Sequence, residues 1–267
     1  MNAALATQTA DAERRFGALR RLYGEAGYAR LRAARVAVIG AGGVGSWAAE
    51  ALARSGVAAL ALIDLDHVAE SNINRQVQAL GRTLGQAKVL ALRERIADIH
   101  PGCEVAAIEE FADAQNWPSL LPPGVQAVID ACDQVRAKTA IAAWALAAGR
   151  PLVAVGAAGG KRQAQRVEVD DLAAVTHDPL LASLRRRLRR EHGAARRARI
   201  GVRCVFSREA VAAPAQVCDD AGTNEGVFDG TLNCAGYGSS VTVTATFGLV
   251  AAGEAIAQLL AKSATEP

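Results

Sequence analysis

The chain has 267 residues, of which 51% are hydrophobic and 21% are charged; this balance excludes a disordered polymer and a mini-protein that depends on disulfides. The net charge is only +3, yet 26 of the 30 basic residues are arginine and they are unevenly distributed. Aromatic residues make up 4% of the chain, which argues against base stacking on an aromatic platform as the main mode of action.

The predicted elements begin with an arginine-rich helical extension, residues 1–34. Its start mixes small apolar and charged residues, unlike the apolar region of a signal peptide, so a cytoplasmic protein is expected. Residues 35–160 then alternate short apolar strands with helices, which predicts a parallel sheet covered on both faces. The predicted strands are 35–39, 59–64, 105–108, 125–129 and 151–155, and the predicted helices are 44–55, 86–99 and 135–148.

The regular alternation ends near residue 160, and residues 161–267 are predicted to form a C-terminal, substrate-facing elaboration of the same domain. The predicted fold class is α/β: a Rossmann-like, doubly wound, mostly parallel sheet with an N-terminal helical extension and a C-terminal elaboration. Residues 231–253 have no charged side chain but are rich in Gly, Thr and Ser. Their modest hydropathy favours a buried helix over a membrane span.

A glycine-rich turn, GAGGVG at residues 40–45, follows the first predicted strand and has the spacing G-x-G-x-x-G. Gly40 permits the tight turn, Gly42 lets the backbone approach a phosphate, and Gly45 lets the next helix pack close to the sheet. Asp64 ends the second predicted strand, where a carboxylate can bind a ribose hydroxyl. Strand, turn, helix and acid together predict a nucleotide site rather than a turn that needs glycine only for packing.

A polar segment after the second predicted strand indicates more phosphate charge than a dinucleotide carries. Arg75 and Lys88 are cations suited to a triphosphate, and Lys88 lies in the first turn of its helix, where the helix dipole acts on the same anion. Asp130 and Asp133 follow the fourth strand at the ligand-facing edge of the sheet, where one of them can hold Mg²⁺ on the phosphates. An NAD-dependent oxidoreductase is disfavoured, because none of the four histidines lies in a hydride-transfer context.

The order of these motifs resembles the ubiquitin-activating-enzyme-like adenylating family, the group of the molybdopterin- and thiamine-synthesis adenylyltransferases. The resemblance covers roughly residues 12–262. Within the family, the chain is most similar to the branch that dehydrates N6-threonylcarbamoyladenosine at position 37 of tRNA. Further matches lie at residues 21–24, 45–54, 151–153, 159–160, 204–207 and 242–248.

The resemblance implies a role for each matching residue. Arg75 and Lys88 engage the triphosphate of ATP, and Asp133 is the carboxylate on the Mg²⁺ side. An arginine from the N-terminal extension of a partner subunit completes the site, which implies a homodimer; Arg21 is the best match and Arg15 the second. The implied ATP-binding positions are Gly40, Gly42, Gly45, Asp64, Asp66, Asn74 and Gln76.

The implied reaction is an ATP-dependent cyclising dehydration through an acyl-adenylate. Attack of a carboxylate on the α-phosphate releases pyrophosphate, and ring closure onto the activated carbonyl then expels AMP. Cys234 is the candidate for a thioester between the two stages, with a small buried residue as its alternative role; for Cys204, which also matches, the buried role is favoured. A nucleotide-gated RNA-binding module without catalysis is a separate alternative.

The five cysteines separate two branches of the family. No pair has the spacing Cys-x-x-Cys, which disfavours a four-cysteine zinc site, and the odd number disfavours a disulfide framework. Members that activate the C-terminus of a ubiquitin-like sulfur-carrier protein typically have two such pairs, so this alternative is weaker. The resemblance also allows a separate sulfur-transfer partner protein. The cysteines are Cys103, Cys132, Cys204, Cys218 and Cys234.

An arginine run spans residues 185–203, with Glu191 as its only acid. Leu184 and Leu188 give the predicted helix only a narrow apolar seam. A contact with the phosphate backbone of tRNA is therefore favoured over a merely solvated face. The predicted tRNA contacts are Arg186, Arg189 and Arg190.

Overall fold

The computed structural model describes residues 11–212 and 237–261. In these residues seven strands form one sheet with the order β3-β2-β1-β4-β5-β7-β6. The strands are β1 (Arg35–Ile39), β2 (Ala59–Ile63), β3 (Glu104–Ile108), β4 (Ala127–Asp130), β5 (Leu152–Val155), β6 (Val167–Asp171) and β7 (Arg203–Ser207). The α-helices are α1 (Ala12–Phe16), α2 (Ala18–Ala33), α3 (Gly45–Arg54), α4 (Lys88–Ile99), α5 (Val135–Ala147), α6 (Pro179–Glu191) and α7 (Val241–Ala261).

The sheet is parallel except at one edge, which confirms the predicted fold class. β1 pairs in parallel with both β2 and β4, and the parallel order continues through β5 to β7. β6 pairs antiparallel with β7. The chain adds β2 and β3 on one side of β1 and then, starting with β4, the remaining strands on the other side. This reversal opens a crevice at the carboxyl ends of β1 and β4, the position where open α/β sheets bind ligands.

Both faces of the sheet are buried. Alternate residues of β1 point to opposite sides: Val36 and Val38 belong to one apolar cluster with α3, α4 and α7, and Ala37 and Ile39 to a second cluster with α5 and α6. The continuous apolar runs in the sequence are explained by this double coverage, because each strand is buried on two sides.

Residues 241–253 of the uncharged segment form the first part of α7, a largely buried helix as predicted. Among the described residues, α7 is the helix that is long and apolar enough to cross a membrane, judged by length and composition alone. It instead covers the sheet, with Phe247, Ala251 and Ala255 buried. A Cβ atom on Gly248 would lie 2.5 Å from the carbonyl oxygen of Val44, so this glycine allows α7 to pack closely against α3.

Several element boundaries differ from the predicted ones for local reasons. α4 begins at Lys88 rather than at residue 86, because Ala87 forms a β-bridge with His67. From residue 11 onward, where the structure describes it, the extension contains two helices, and the second is kinked at Gly24, where φ is +71°. The described part of the C-terminal elaboration contributes β6 and β7 to the sheet, two strands that the broken alternation after residue 160 does not locate.

Candidate active site

A cavity of about 370 Å³ opens at the carboxyl ends of the parallel strands. It brings together residues that are far apart in the sequence, including both candidate cations and the candidate Mg²⁺ carboxylate. Gly45 and Asn74, also predicted here, are not in its lining. The predicted residues that line the cavity are Gly40, Gly42, Asp64, Asp66, Arg75, Gln76, Lys88 and Asp133.

Each glycine of the G-x-G-x-x-G turn has a different steric environment. Gly40 has a φ of +84°, and a Cβ on it would lie 2.9 Å from the carbonyl oxygen of Ala131. A Cβ on Gly45 would lie 1.7 Å from the carbonyl oxygen of Gly40, so α3 approaches the turn as closely as backbone allows. A Cβ on Gly42 would meet nothing within 4 Å, which leaves the backbone open where a phosphate would bind.

Asp64 organises this turn as well as facing the cavity. Its Oδ2 accepts a hydrogen bond from the backbone N–H of Ala41 at 2.6 Å, and its Oδ1 accepts one from the backbone N–H of Asp66 at 2.8 Å. Burial raises the pKa of Asp64, and the charge of Lys88 opposes that rise. Each carboxylate oxygen retains a second lone pair, so the hydrogen bonds leave room for a ribose hydroxyl.

Gln78, which the sequence patterns did not single out, binds the backbone carbonyl of Ala41, the residue whose N–H group donates to Asp64. Its Nε2 donates to the carbonyl oxygen of Ala41 at 2.9 Å, and the side chain is 1% exposed. Asp64 and Gln78 therefore fix the N–H and C=O of one residue in the glycine turn. The signal available in the sequence was the continuation of the polar segment two residues beyond Gln76.

The two candidate cations are held in different ways. Lys88 is buried at the start of α4, and its Nζ pairs with Asp66 Oδ2 at 2.6 Å. Arg75 is anchored by hydrogen bonds to the Ser71 carbonyl at 2.8 Å and to Asn74 Oδ1 at 2.9 Å. Both side chains line the cavity, where their charges can neutralise phosphate oxygens.

Asn74 is exposed and does not line the cavity, but it contacts two neighbouring parts of the site. Its Nδ2 donates to the carbonyl oxygen of Ser239 at 3.0 Å, which links the polar segment to the residues that precede α7. Because Asn74 also accepts from Arg75, the geometry gives it a role in orienting that guanidinium. Asn74 is not in the lining of the cavity, and its direct contact with the triphosphate stays a prediction.

Asp130, the last residue of β4, and Asp133 have separate environments, which corrects the expectation that both face the crevice. Asp130 is fully buried, and its Oδ1 lies 2.9 Å from Nζ of Lys138, which is also fully buried. Asp133, three residues later, lines the cavity. Asp130 is thus part of an internal ion pair, and Asp133 is the carboxylate placed for a ligand.

The candidate partner-subunit arginines do not line the cavity of their own chain. Arg21 is exposed on α2, beside Leu22, which is 69% exposed. Arg15 donates to the carbonyl oxygens of Asp98 and Ile99 at 2.9 and 2.6 Å, so it caps the end of α4. Arg21 is therefore the better placed of the two to reach another molecule.

The cysteines differ in accessibility. Cys204 is fully buried in β7, and burial raises its pKa strongly, which fits the buried role favoured for it. Cys132 lines the cavity, but burial and then the neighbouring Asp130 raise the pKa of its thiol well above the ordinary value. Cys234 lies outside the described residues.

The arginine run forms part of α6 and the loop that follows it. Arg189 donates to the carbonyl oxygens of Ala195 and Arg196 at 3.1 Å, and Arg190 pairs with Glu191. Arg186 donates to Ser183 Oγ at 3.1 Å. The exposed side chains of Arg196 and Arg197 have no hydrogen-bond or ion-pair partner within the described part of the chain.

Known proteins resemble this chain over nearly its whole length. Residues 16–267 match the ThiF family. A protein of Escherichia coli named tRNA threonylcarbamoyladenosine dehydratase is 43% identical over 258 residues, covering 94% of this chain and 96% of that protein. Its counterpart in Bacillus subtilis is 35% identical over 239 residues, covering 89% and 91%. The crystal structure of the E. coli tRNA N6-threonylcarbamoyladenosine dehydratase in complex with ATP matches with a TM-score of 0.85 at 40% identity, covering 97% of this chain and 99% of that one.

Proposed function

The chain belongs to the ThiF family, and from that premise we propose that it is an enzyme that catalyses the ATP-dependent cyclising dehydration of N6-threonylcarbamoyladenosine at position 37 of tRNA. The observation that carries the proposal is one cavity in which the glycine turn, Asp64, Arg75 and Lys88 meet, in a chain whose full-length relatives are dehydratases. Activation of a ubiquitin-like sulfur carrier is less well supported, because the chain has no Cys-x-x-Cys pair.

The chemistry requires activation, because the oxygen of a carboxylate is a poor leaving group. In the first stage, an oxygen of the threonyl carboxylate attacks the α-phosphorus of ATP, the bond from that phosphorus to the bridging oxygen breaks, and pyrophosphate leaves. In the second stage, a nitrogen or oxygen of the same side chain attacks the activated carbonyl, loses its proton, and AMP leaves with the former carboxylate oxygen. The nucleoside therefore loses the equivalent of one water.

The protein's contribution is positional and electrostatic. The open backbone at Gly42 and the start of α3 receive phosphate oxygens, and Arg75 and Lys88 neutralise the charge that develops on the departing pyrophosphate. Displacement of Asp66 from Lys88 by a phosphate would exchange one charge-assisted contact for another. Asp64 holds the ribose end, so attacking oxygen and phosphorus can be kept in line.

Asp133 is the proposed Mg²⁺ ligand. In nucleotide sites Mg²⁺ is usually bound by one or two carboxylates together with substrate phosphates and waters. Within residues 11–212 and 237–261 no group of three or more His, Cys, Asp or Glu could hold a metal, so Asp133 at the cavity fits a cation shared with ATP better than a protein cage. When bound, Mg²⁺ would supply charge neutralisation at the phosphates.

The assembly and setting are proposed on the same premise. Arg21 would enter the cavity of a second copy, which makes the active unit a homodimer. The absence of disulfide-type cysteine spacing suits a reducing cytoplasm. A thioester on Cys234 and a sulfur-transfer partner protein stay predictions that rest on the resemblance alone.

Conversion of the modified nucleoside tests the function directly. We expect tRNA that carries N6-threonylcarbamoyladenosine, incubated with the protein, ATP and Mg²⁺, to yield a nucleoside lighter by one water in mass spectrometry. AMP and pyrophosphate should appear in equal amounts. A protein that binds ATP but leaves the nucleoside mass unchanged would contradict the proposal and favour a nucleotide-gated RNA-binding module.

The arginine run gives a separate expectation for tRNA affinity. Replacing Arg186, Arg189 and Arg190 with alanine should weaken tRNA binding and lower the slope of log Kd against log salt by about 0.9 for each phosphate that the protein no longer neutralises, without changing ATP affinity. The pair Arg196→Ala and Arg197→Ala should have a larger effect per residue, because these guanidinium groups have no competing partner among the described residues. Arg93→Ala, an exposed site on α4, is the control, and an unchanged slope in all variants would reject the phosphate interaction.

A further inference from the structure

Lys161 is a buried cation that the proposed mechanism does not use. Its side chain is 2% exposed, and its Nζ donates to the carbonyl oxygens of His177 at 3.0 Å and Ser207 at 3.2 Å. It also donates to the carbonyl oxygen of Glu209. Three carbonyls from the turn before α6, the end of β7 and the residues after β7 thus meet at one ammonium group.

The backbone around Lys161 is built to keep these contacts. His177 is the non-glycine residue with a positive φ, +59°, in the described part of the chain, and such a conformation persists only when its surroundings impose it. The Glu209 carboxylate accepts hydrogen bonds from the N–H groups of Arg162 and Gln163 at 3.0 and 2.8 Å. Burial lowers the pKa of Lys161, and the charges of Asp178 and Glu209 oppose that effect.

Gly160, the preceding residue, connects the two ends of the chain that flank residues 213–236. Its carbonyl oxygen accepts from the N–H of Ala212 at 2.8 Å, and its N–H donates to the carbonyl oxygen of Gly238 at 2.9 Å. Its φ is +71°, and a Cβ on it would lie 2.8 Å from Val211 Cγ1. Both flanks are therefore hydrogen-bonded to the backbone of one glycine.

The residues just before Gly160 form a wall of the nucleotide cavity. Gly156, Ala157, Ala158 and Gly159 line the cavity, as does Ser239, which follows Gly238. Residues 156–159 follow β5, which lies on the other side of β4 from β1 and the glycine turn. The contacts of Lys161 and Gly160 therefore support the cavity wall on the β5 side.

We propose that Lys161, together with Gly160, is a positioning residue that fixes the flanks 207–212 and 237–239 against the cavity wall for the ring-closing stage. The inference rests on the proposed function. The three hydrogen bonds of Lys161 go to His177, Ser207 and Glu209, and none of these residues is assigned to adenylation, so the two stages should respond differently to its loss.

The test compares Lys161→Met with Arg162→Met, the adjacent exposed position, in the full-length chain. For Lys161→Met we expect ATP affinity and single-turnover pyrophosphate release close to wild type, and ring closure slowed by about 10²-fold, the cost of a small misplacement of reacting groups. Pyrophosphate would then form in excess over cyclised nucleoside. Arg162→Met should keep the wild-type ratio.

Equal losses in both stages, or unchanged ring closure, would overturn the proposal. Gly160→Ala provides a second variant, because its added Cβ disturbs the flanks and leaves the ammonium in place; the same split between stages is expected if Lys161→Met does not fold. Failure of the proposed function is distinguishable, since the wild-type protein itself would then produce no cyclised nucleoside.

Discussion

Asp133→Ala should reduce the rate of dehydration by about 10³-fold, the size of effect seen when one preorganised group that stabilises developing charge is removed. The expectation follows from its place after β4, where it lines the cavity at the point of strand-order reversal. Single-turnover rates over a Mg²⁺ titration measure the effect, and filter binding of tRNA should be unchanged.

Glu110→Ala is the matched control for this prediction. Glu110 also lines the cavity with an exposed carboxylate, but it follows β3 instead of β4. We expect its removal to change the rate far less. Comparable losses in the two variants would show that bulk negative charge matters and that Asp133 has no specific role.

Lys138→Met should cost about 3–5 kcal/mol of the free energy of unfolding, because it leaves a buried carboxylate without its partner. Nζ of Lys138 contacts both Oδ1 and the backbone oxygen of Asp130, at 2.9 and 3.0 Å, and Asp130 Oδ1 accepts from Cys132 N–H at 3.1 Å. The pair therefore also shapes the turn that carries Asp133. Urea unfolding followed by circular dichroism measures the loss.

Two comparisons sharpen this stability prediction. Arg35→Met breaks an exposed ion pair with Glu104 and should cost no more than about 1 kcal/mol. The double variant Asp130→Val with Lys138→Met should recover part of the loss, since a buried pair replaced by apolar residues is often tolerated. A single variant as stable as wild type would mean that the pair is not needed for folding.

The pH dependence of the same pair has a definite sign. Burial disfavours the ammonium form of Lys138, but the charge of Asp130, its hydrogen bond to Lys138 and the nearby Cys132 and Cys204 together raise the pKa above the ordinary lysine value. A lysine whose pKa is higher in the folded than in the unfolded chain stabilises the fold fully at pH values below its unfolded pKa. This stabilisation is lost as the pH rises through the folded pKa. The pair should therefore contribute fully at neutral pH.

Local sequence patterns predict the first strand, the glycine turn and the helix after it well, because the residues that determine these elements are close together in the sequence. The strand, the glycine turn and the helix after it are consecutive, and the requirement for glycine at Gly40 and Gly45 comes from their close contacts. Asp64 lies at the end of the next strand, so its nearness to the turn follows from parallel pairing.

The contacts that local patterns did not predict are long in range or depend on burial. Asp130 and Asp133 look equivalent in the sequence, and only the position of Lys138 on the following helix separates them. Asn74 reaches Ser239, 165 residues away, and no periodicity indicates such a pair. The cage around Lys161 is made of backbone oxygens, which any residue supplies, so the sequence contains no signal for it.

The packing of α7 against α3 also constrains the order of folding. The apolar face shared by α3 and the first strands is completed by residues 241–261, which a ribosome synthesises about two hundred residues after α3. Contacts with such a large sequence separation slow folding, since chain entropy is lost before they form. During translation the apolar face of α3 and the first strands therefore stays exposed until α7 has been synthesised, and chaperones recognise such exposed apolar surface.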